Sequence, residues 1–270
     1  MTNEQLQAIA QNLRLHVVRM IGPDNAGHFG GSCSLAEIVS VLYFDCMRHD
    51  PGNPKWPERD RFLLSKGHAA LVQYAALSEA GYFDVSELST LKKLGSRLQG
   101  HPDMLKLPGI EANTGSLGQG LSIACGMAAG LKGSGARVYC VVGDGELAEG
   151  QIWEAAMAAS AHRLDNLVCF LDMNGLQATG ATRDRFPIDR FREKWAAFGW
   201  AVDEIDGHDI QQIRNALSRA QHNHVPTMII AQTVKGKGIP CAENVAAFHN
   251  GAMTTKQYEE TLQVLGGMKP

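Results

Sequence analysis

Three observations predict an α/β fold in which a mainly parallel sheet is flanked by helices. Short apolar, partly β-branched runs such as ARVYCVV and LVCFL are brief enough to be strands buried on both faces. Longer stretches of helical composition separate these runs, and that alternation marks a parallel sheet with helical cover. Polar clusters stand where two of the runs end, at GDG and at DMNG, and ligands of such sheets lie beyond the carboxyl ends of the strands.

In chain order, helices are expected near 3–20, 34–47, 68–80, 86–94, 117–132, 150–163, 187–198, 209–222 and 254–265. Strands are expected near 62–65, 137–142, 167–172, 200–205 and 227–234. The opening helix is amphipathic. The one at 117–132 carries small residues, Ala124, Gly126, Ala128 and Gly130, that allow close backbone packing, read as an ordinary helix contact ahead of a dedicated dimer contact. Gln151 to Arg163 is rich in Ala, Met and Glu, and joins the runs on either side into a strand, helix, strand unit. With 270 residues and 44% hydrophobic side chains the chain can bury a sizeable core. No linker composition or repeat interrupts it, so residues 1–270 are expected to form one domain.

A formal charge of −3 and a pI near 6.4, with Lys and Arg scattered, give no electrostatic reason to expect nucleic acid. The amino terminus lacks the basic start and apolar centre of a signal peptide, and no apolar run approaches a membrane span. Six cysteines, at 33, 46, 125, 140, 169 and 241, form no CxxC pair and read as reduced residues of a cytoplasmic protein. Ten histidines include no HxxxH or HExxH, which speaks against a zinc helix motif.

The segment from Gly143 to Gln177 is the most informative. A divalent ion that carries two phosphates wants hard oxygen ligands in octahedral geometry. The Asp144 carboxylate, the Asn174 amide oxygen and the Leu176 carbonyl supply them without excess charge. Gly143 and Gly145 let the backbone turn sharply and approach a phosphate. A bare GDG is ordinarily a simple turn. Its pairing with a second polar strand end is what makes the segment read as a magnesium diphosphate site.

GDG followed about thirty residues later by Asn at the end of the next strand resembles the thiamine diphosphate enzymes. More narrowly, GDGELAEGQIWEAA with DMNGLQ resembles the transketolase branch. Further segments match that branch in order: GHFGGSCSLAEI at 27–38, DPGNPKWPERDRFLLSKGHAA at 50–70, QGHPD at 99–103, TGSLGQGLSIACGMA at 114–128, and KGKG with FHNG near 235–251. The similarity covers nearly the whole chain.

The resemblance implies the diphosphate-binding (PP-type) thiamine diphosphate fold, with thiamine diphosphate and Mg2+ (or Ca2+ or Mn2+) as cofactors. It implies that His68 and His249 contact the cofactor's diphosphate, and that His28 and His101 face the sugar near the reacting carbon. Taken singly, each of these histidines is a loop residue beside glycine. Histidine suits both tasks, donating to phosphate oxygens and passing a proton near neutral pH. His28 is the candidate for helping to deprotonate a hydroxyl, together with His249. Gly115, Ser116 and Leu117 correspond to a loop that touches the aminopyrimidine and thiazolium region. Glu149 corresponds to a glutamate that reaches its counterpart and the activating carboxylate across a dimer, although on sequence alone it is an acidic residue at a helix start. Ser116 and Phe29 stand where the family usually has Pro, and Thr179 where it commonly has Asp. The latter two are expected on the substrate side.

Transketolases draw the carboxylate that activates the pyrimidine from a second domain, and 270 residues are too few to include one, at about 100 to 200 residues per domain. The expectation is the amino-terminal subunit of a split transketolase, completed by a separate pyrimidine-binding subunit in an α2β2 assembly. Its reaction would pass a two-carbon ketol unit from a ketose to an aldose, with sugar phosphates as default substrates and branched-sugar phosphates or sulfonated sugars as alternatives. Rival readings are a deoxyxylulose-phosphate-synthase-like or 2-oxo-acid dehydrogenase subunit, a noncatalytic regulatory paralogue, and a generic nucleotide-binding domain. The last would need a Walker lysine loop or a GxGxxG after the first strand, which the sequence lacks.

Overall fold

The structure, a computed structural model, describes residues 1–187 and 189–266. Its strands are β1 (Arg61–Leu64), β2 (Val138–Gly143), β3 (Leu167–Met173), β4 (Leu176–Gln177), β5 (Gly180–Ala181), β6 (Ala201–Asp206) and β7 (Thr227–Gln232). Five of them make one sheet in the order β1-β2-β3-β7-β6, with every neighbouring pair parallel. The two-residue strands β4 and β5 form a separate antiparallel hairpin. The helices are α1 (Asn3–Ile21), α2 (Gly30–Cys33), α3 (Ala36–Val41), α4 (Ala70–Glu79), α5 (Gln119–Gly130), α6 (Gly150–Ala161), α7 (Thr182–Arg185), α8 (Phe191–Ala197), α9 (Ile210–Ala220) and α10 (Thr255–Val264).

Side chains alternate across a strand, so each apolar run feeds two cores at once. Val138, Cys140 and Val142 of β2 join Leu167, Cys169 and Leu171 of β3 in the core beneath α5, α6 and Trp195. Tyr139 and Val141, with Val168 and Phe170, point the other way into the core shared with α1, α3, α4 and α9. The small residues of α5 serve two ends. Ala124 and Ala128 are fully buried, whereas a side chain added at Gly126 or Gly130 would meet nothing within 4 Å. Their face is open, so only the alanines carry the close packing expected of the whole stripe.

All five sheet strands lie where the sequence predicts them, within about two residues. Three helical expectations need correction. The helix expected over 34–47 is α3 followed by a π-helical turn at Leu42–Cys46, closed by the Met47 amide on the Leu42 carbonyl at 2.8 Å. The segment 86–94 is only a 3-10 stretch, Val85–Thr90. There Ser89 and Thr90 turn their hydroxyls onto the carbonyls of Ser86 and Glu87, only Leu88 is buried, and Lys92 takes a positive φ of 59°. Local side-chain bonds and a single apolar anchor do not sustain an α-helix. The helix expected at 187–198 begins at Phe191, and residue 188 of that span lies outside the described residues. No helix among the described residues is long and apolar enough to cross a membrane.

Candidate functional site

The carboxyl ends of β1, β2, β3 and β7 open onto a cavity of about 370 Å³. The parallel register sets Gly143 at the end of β2 beside Asp172 in β3, so the residues that follow them share one rim. Asp144 accepts hydrogen bonds from two backbone amides, Gly145 at 2.8 Å and Gly175 at 2.6 Å. Burial, followed by the neighbouring charge of Asp172, pushes its pKa up to about 6. Asn174 donates from Nδ2 to Asp172 at 3.0 Å, and its Oδ1 accepts from the Leu176 amide at 3.1 Å, which turns the chain there. The Leu176 carbonyl accepts from Lys235 Nζ at 2.9 Å.

Asp144, Asn174 and Leu176 thus line one cavity, together with His68, Leu117, Gly143, Gly145, Glu149 and His249. A carboxylate, an amide oxygen and a backbone carbonyl are the donor set of a hard divalent ion. Burial and the neighbouring Asp172 make the Asp144 charge costly without a cation beside it, and a lysine ammonium already rests on the Leu176 carbonyl. The residues present therefore fit a hard divalent cation.

Beneath the wall lies Asp172, fully buried. It pairs with Lys66 and accepts from Thr233 Oγ1 and, at 2.7 Å, from Ser34 Oγ. Burial pushes its carboxyl upward, but Lys66 and these bonds outweigh burial and leave its pKa below the usual value. Lys235, also buried, is pushed down to about 8 by burial and then by Lys66. Lys66 and Lys235 both line the cavity, an arrangement suited to phosphate oxygens. Residue type and spacing do not single out Lys66, Lys235 or Asp172, although the lysines stand inside two of the family-like segments, LSKGHA and KGKG.

The four loop histidines gather at the same end. The rings of His28, His68 and His249 lie 5.0–5.4 Å apart, centroid to centroid, and His101 lies 6.1 Å from His28. Burial, followed by neighbouring cations and histidines, lowers His28 and His249 to about 4, and His68 and His101 move the same way. All four are neutral near pH 7. Lys235 Nζ lies 3.0 Å from His249 Nδ1, so a charged lysine donates there and leaves the ring proton on Nε2.

Gly115 has a φ of +135°, and a Cβ on it would sit 2.4 Å from His101 Cδ2, so this loop and that histidine pack in a way only glycine allows. Leu117 lines the cavity, whereas Ser116 is exposed and does not. Glu149 is exposed at the rim, at the amino-terminal cap of α6. Thr179, Arg185 and Phe186, from the β4–β5 hairpin and α7, close the outer side. Phe29, expected on the substrate side, is instead fully buried against Phe248, with ring centroids 5.5 Å apart.

Helices packed on a parallel sheet, with a cavity lined by Lys66, Lys235, His68 and His249 at its carboxyl edge, match a cofactor-binding domain of the thiamine diphosphate class. The family model described as transketolase, thiamine diphosphate binding domain, matches residues 5–270, and the chain belongs to that family. It is 44% identical to the 6-deoxy-6-sulfo-D-fructose transketolase subunit SqwG of Clostridium sp. (strain MSTE9), over 96% of each protein. It is 41% identical to an apulose-4-phosphate transketolase subunit of Phocaeicola vulgatus, covering 96% of this chain and 93% of that one. Human transketolase is 41% identical over 96% of this chain but only 42% of its own length. The crystal structure of Campylobacter jejuni transketolase superposes with a TM-score of 0.92 at 34% identity, over 98% of this chain and 43% of that one. The chain thus spans about two-fifths of these longer transketolases.

Proposed function

We propose that this chain is the diphosphate-binding subunit of a two-chain transketolase, which moves a two-carbon ketol unit from a ketose to an aldose. The observation that carries the reading is the meeting of three hard oxygens, two buried lysines and four neutral histidines at one end of the sheet. Two relatives named as transketolase subunits, matched over 96% and 93% of their own length, support a separate partner chain.

Bound thiamine diphosphate supplies a nucleophilic carbon and an electron sink for ketose cleavage. Asp144, Asn174 and the Leu176 carbonyl would hold Mg2+, or Ca2+ or Mn2+, against the diphosphate. Lys66, Lys235, His68 and His249 would donate to its oxygens, and the Gly143–Gly145 turn and the Gly115–Leu117 loop would shape the space around it. His28 and His101 are uncharged at neutral pH and therefore free to accept a proton from a ketose hydroxyl and return it to a carbonyl oxygen, with His249 beside them. Glu149, exposed at the rim, faces the partner chain. We place the complex in the cytoplasm, which suits the six free thiols, and assign it an α2β2 stoichiometry. The donors we favour are ketoses with an anionic tail, a phosphate or a sulfonate, as in the names of the two subunit relatives.

The test combines the chain with its pyrimidine-binding partner and follows transfer from xylulose 5-phosphate, and separately from 6-deoxy-6-sulfofructose, to an aldose phosphate. Transfer is expected only in the mixture and only with both magnesium and thiamine diphosphate. Transfer at an ordinary rate by the chain alone, or by the mixture without thiamine diphosphate, would end the proposal.

A further inference from the structure

The segment GDGELAEG sends two carboxylates in opposite directions. Glu149 is exposed, while Glu146 is 2% exposed and turns back under the turn that precedes it. Glu146 Oε1 accepts from Ser65 Oγ at 2.5 Å and from the Gly118 amide at 2.8 Å, and Oε2 accepts from the Gly143 amide at 3.1 Å. Each donor belongs to a different segment at the carboxyl edge of the sheet. Ser65 leads into Lys66 and His68, Gly118 follows directly on the Gly115–Leu117 loop, and Gly143 precedes Asp144.

We propose that Glu146 is a positioning residue for the cofactor, its carboxylate tying together the three segments that lead into the cofactor-facing residues. The proposal rests on the reading of the cavity as a thiamine diphosphate site. Two features make the tie specific to a carboxylate. All three groups facing Glu146 are donors, and two of them are backbone N–H groups, which cannot reverse their role. An amide in its place fails in either orientation, because its NH2 faces the Gly118 N–H in one and the Gly143 N–H in the other. The joint is also closely fitted, since a Cβ at Gly120 would lie 2.4 Å from Ser65 Oγ.

The experiment compares wild type, Glu146→Gln and Ser65→Ala, each in complex with the partner chain. Hydrogen exchange is read on the cofactor-free complex, thiamine diphosphate affinity by calorimetry at fixed magnesium, and kcat at saturating cofactor. In Glu146→Gln, exchange at the Gly118 and Gly143 amides should quicken. Cofactor affinity should fall by about 10–100-fold, the range typical for losing a group that orients a ligand shell. The kcat at saturation should remain within about threefold of wild type. Ser65→Ala removes one bond of the three and should weaken affinity in the same direction by less. Unchanged affinity in Glu146→Gln, or a loss of kcat with affinity intact, would overturn the proposal. If Glu146→Gln does not fold, unchanged affinity and exchange in Ser65→Ala would overturn it instead. A wild-type complex that takes up no thiamine diphosphate defeats the cofactor reading and the proposal together, whereas a wild type that binds beside an unaffected variant defeats the tie alone.

Discussion

Asp144 and Asp172 stand on neighbouring strand ends and differ chiefly in their supply of positive charge. Asp172 has the Lys66 ammonium, two hydroxyls and an amide around it, and its pKa lies below the usual value in spite of complete burial. Asp144 has two backbone amides, and its pKa is raised to about 6. A carboxylate satisfied from within is an anchor for the fold, and one left short of cations is where an external cation gains most. The same residue type, one strand apart, is thus satisfied within the fold in one place and left open to an external cation in the other.

The largest effect is expected from Asp172→Ala. It strands the Lys66 ammonium in the interior, and breaking a buried pair in this way costs about 3–5 kcal/mol, measurable by denaturant unfolding. Asp144→Asn should cost the cofactor-free chain less, about 1–3 kcal/mol, because its NH2 must face the Gly145 or the Gly175 N–H while the charge it deletes is one that burial already disfavours. Equal losses in the two variants would erase the distinction between anchor and binding residue.

A smaller effect sharpens the comparison from the binding side. Asp144→Asn should weaken magnesium-dependent uptake of thiamine diphosphate by at least the roughly 10–100-fold typical of losing an outer-shell partner. Titration calorimetry with and without magnesium reads this directly. An affinity equal to wild type would remove Asp144 from the ligand set.

The smallest effect is on pH dependence without cofactor. His28 and His249 have folded values near 4 against an ordinary 6.5, and His68 is lowered further, so their contribution is complete above about pH 6.5 and is lost as pH falls toward 4. Asp144 opposes them. Its folded value is raised, so its contribution is complete below about pH 3.8 and is lost as pH rises through about 6. Thermal melts between pH 4 and 7 should therefore be steeper in Asp144→Asn than in wild type, with stability falling toward acid. A variant curve no steeper than the wild-type one would show that the two sets of groups do not oppose each other.

Much of the site is legible in the sequence because its signals are local. Asp144, Asn174 and Leu176 sit within a few residues of strand ends that apolar composition alone locates, and the four histidines mark themselves by their glycine-flanked loops. The 86–94 segment misleads because its residues satisfy helical composition while its Ser and Thr side chains take the backbone carbonyls. Lys66, Asp172 and Glu146 stand inside family-like segments, but their roles escape because the partners that define them lie far off in the chain.

The strand positions and the family motifs were determined by the sequence itself, because periodicity, strand length and glycine placement act over a handful of neighbours. The roles of the buried charges were decided by tertiary structure. Lys66 meets Asp172 across 106 residues, Ser34 meets it across 138, and Ser65 meets Glu146 across 81. Whether a carboxylate is an anchor or an open ligand depends on which cations the fold brings beside it in a medium of low dielectric, and no local pattern of residues encodes that encounter.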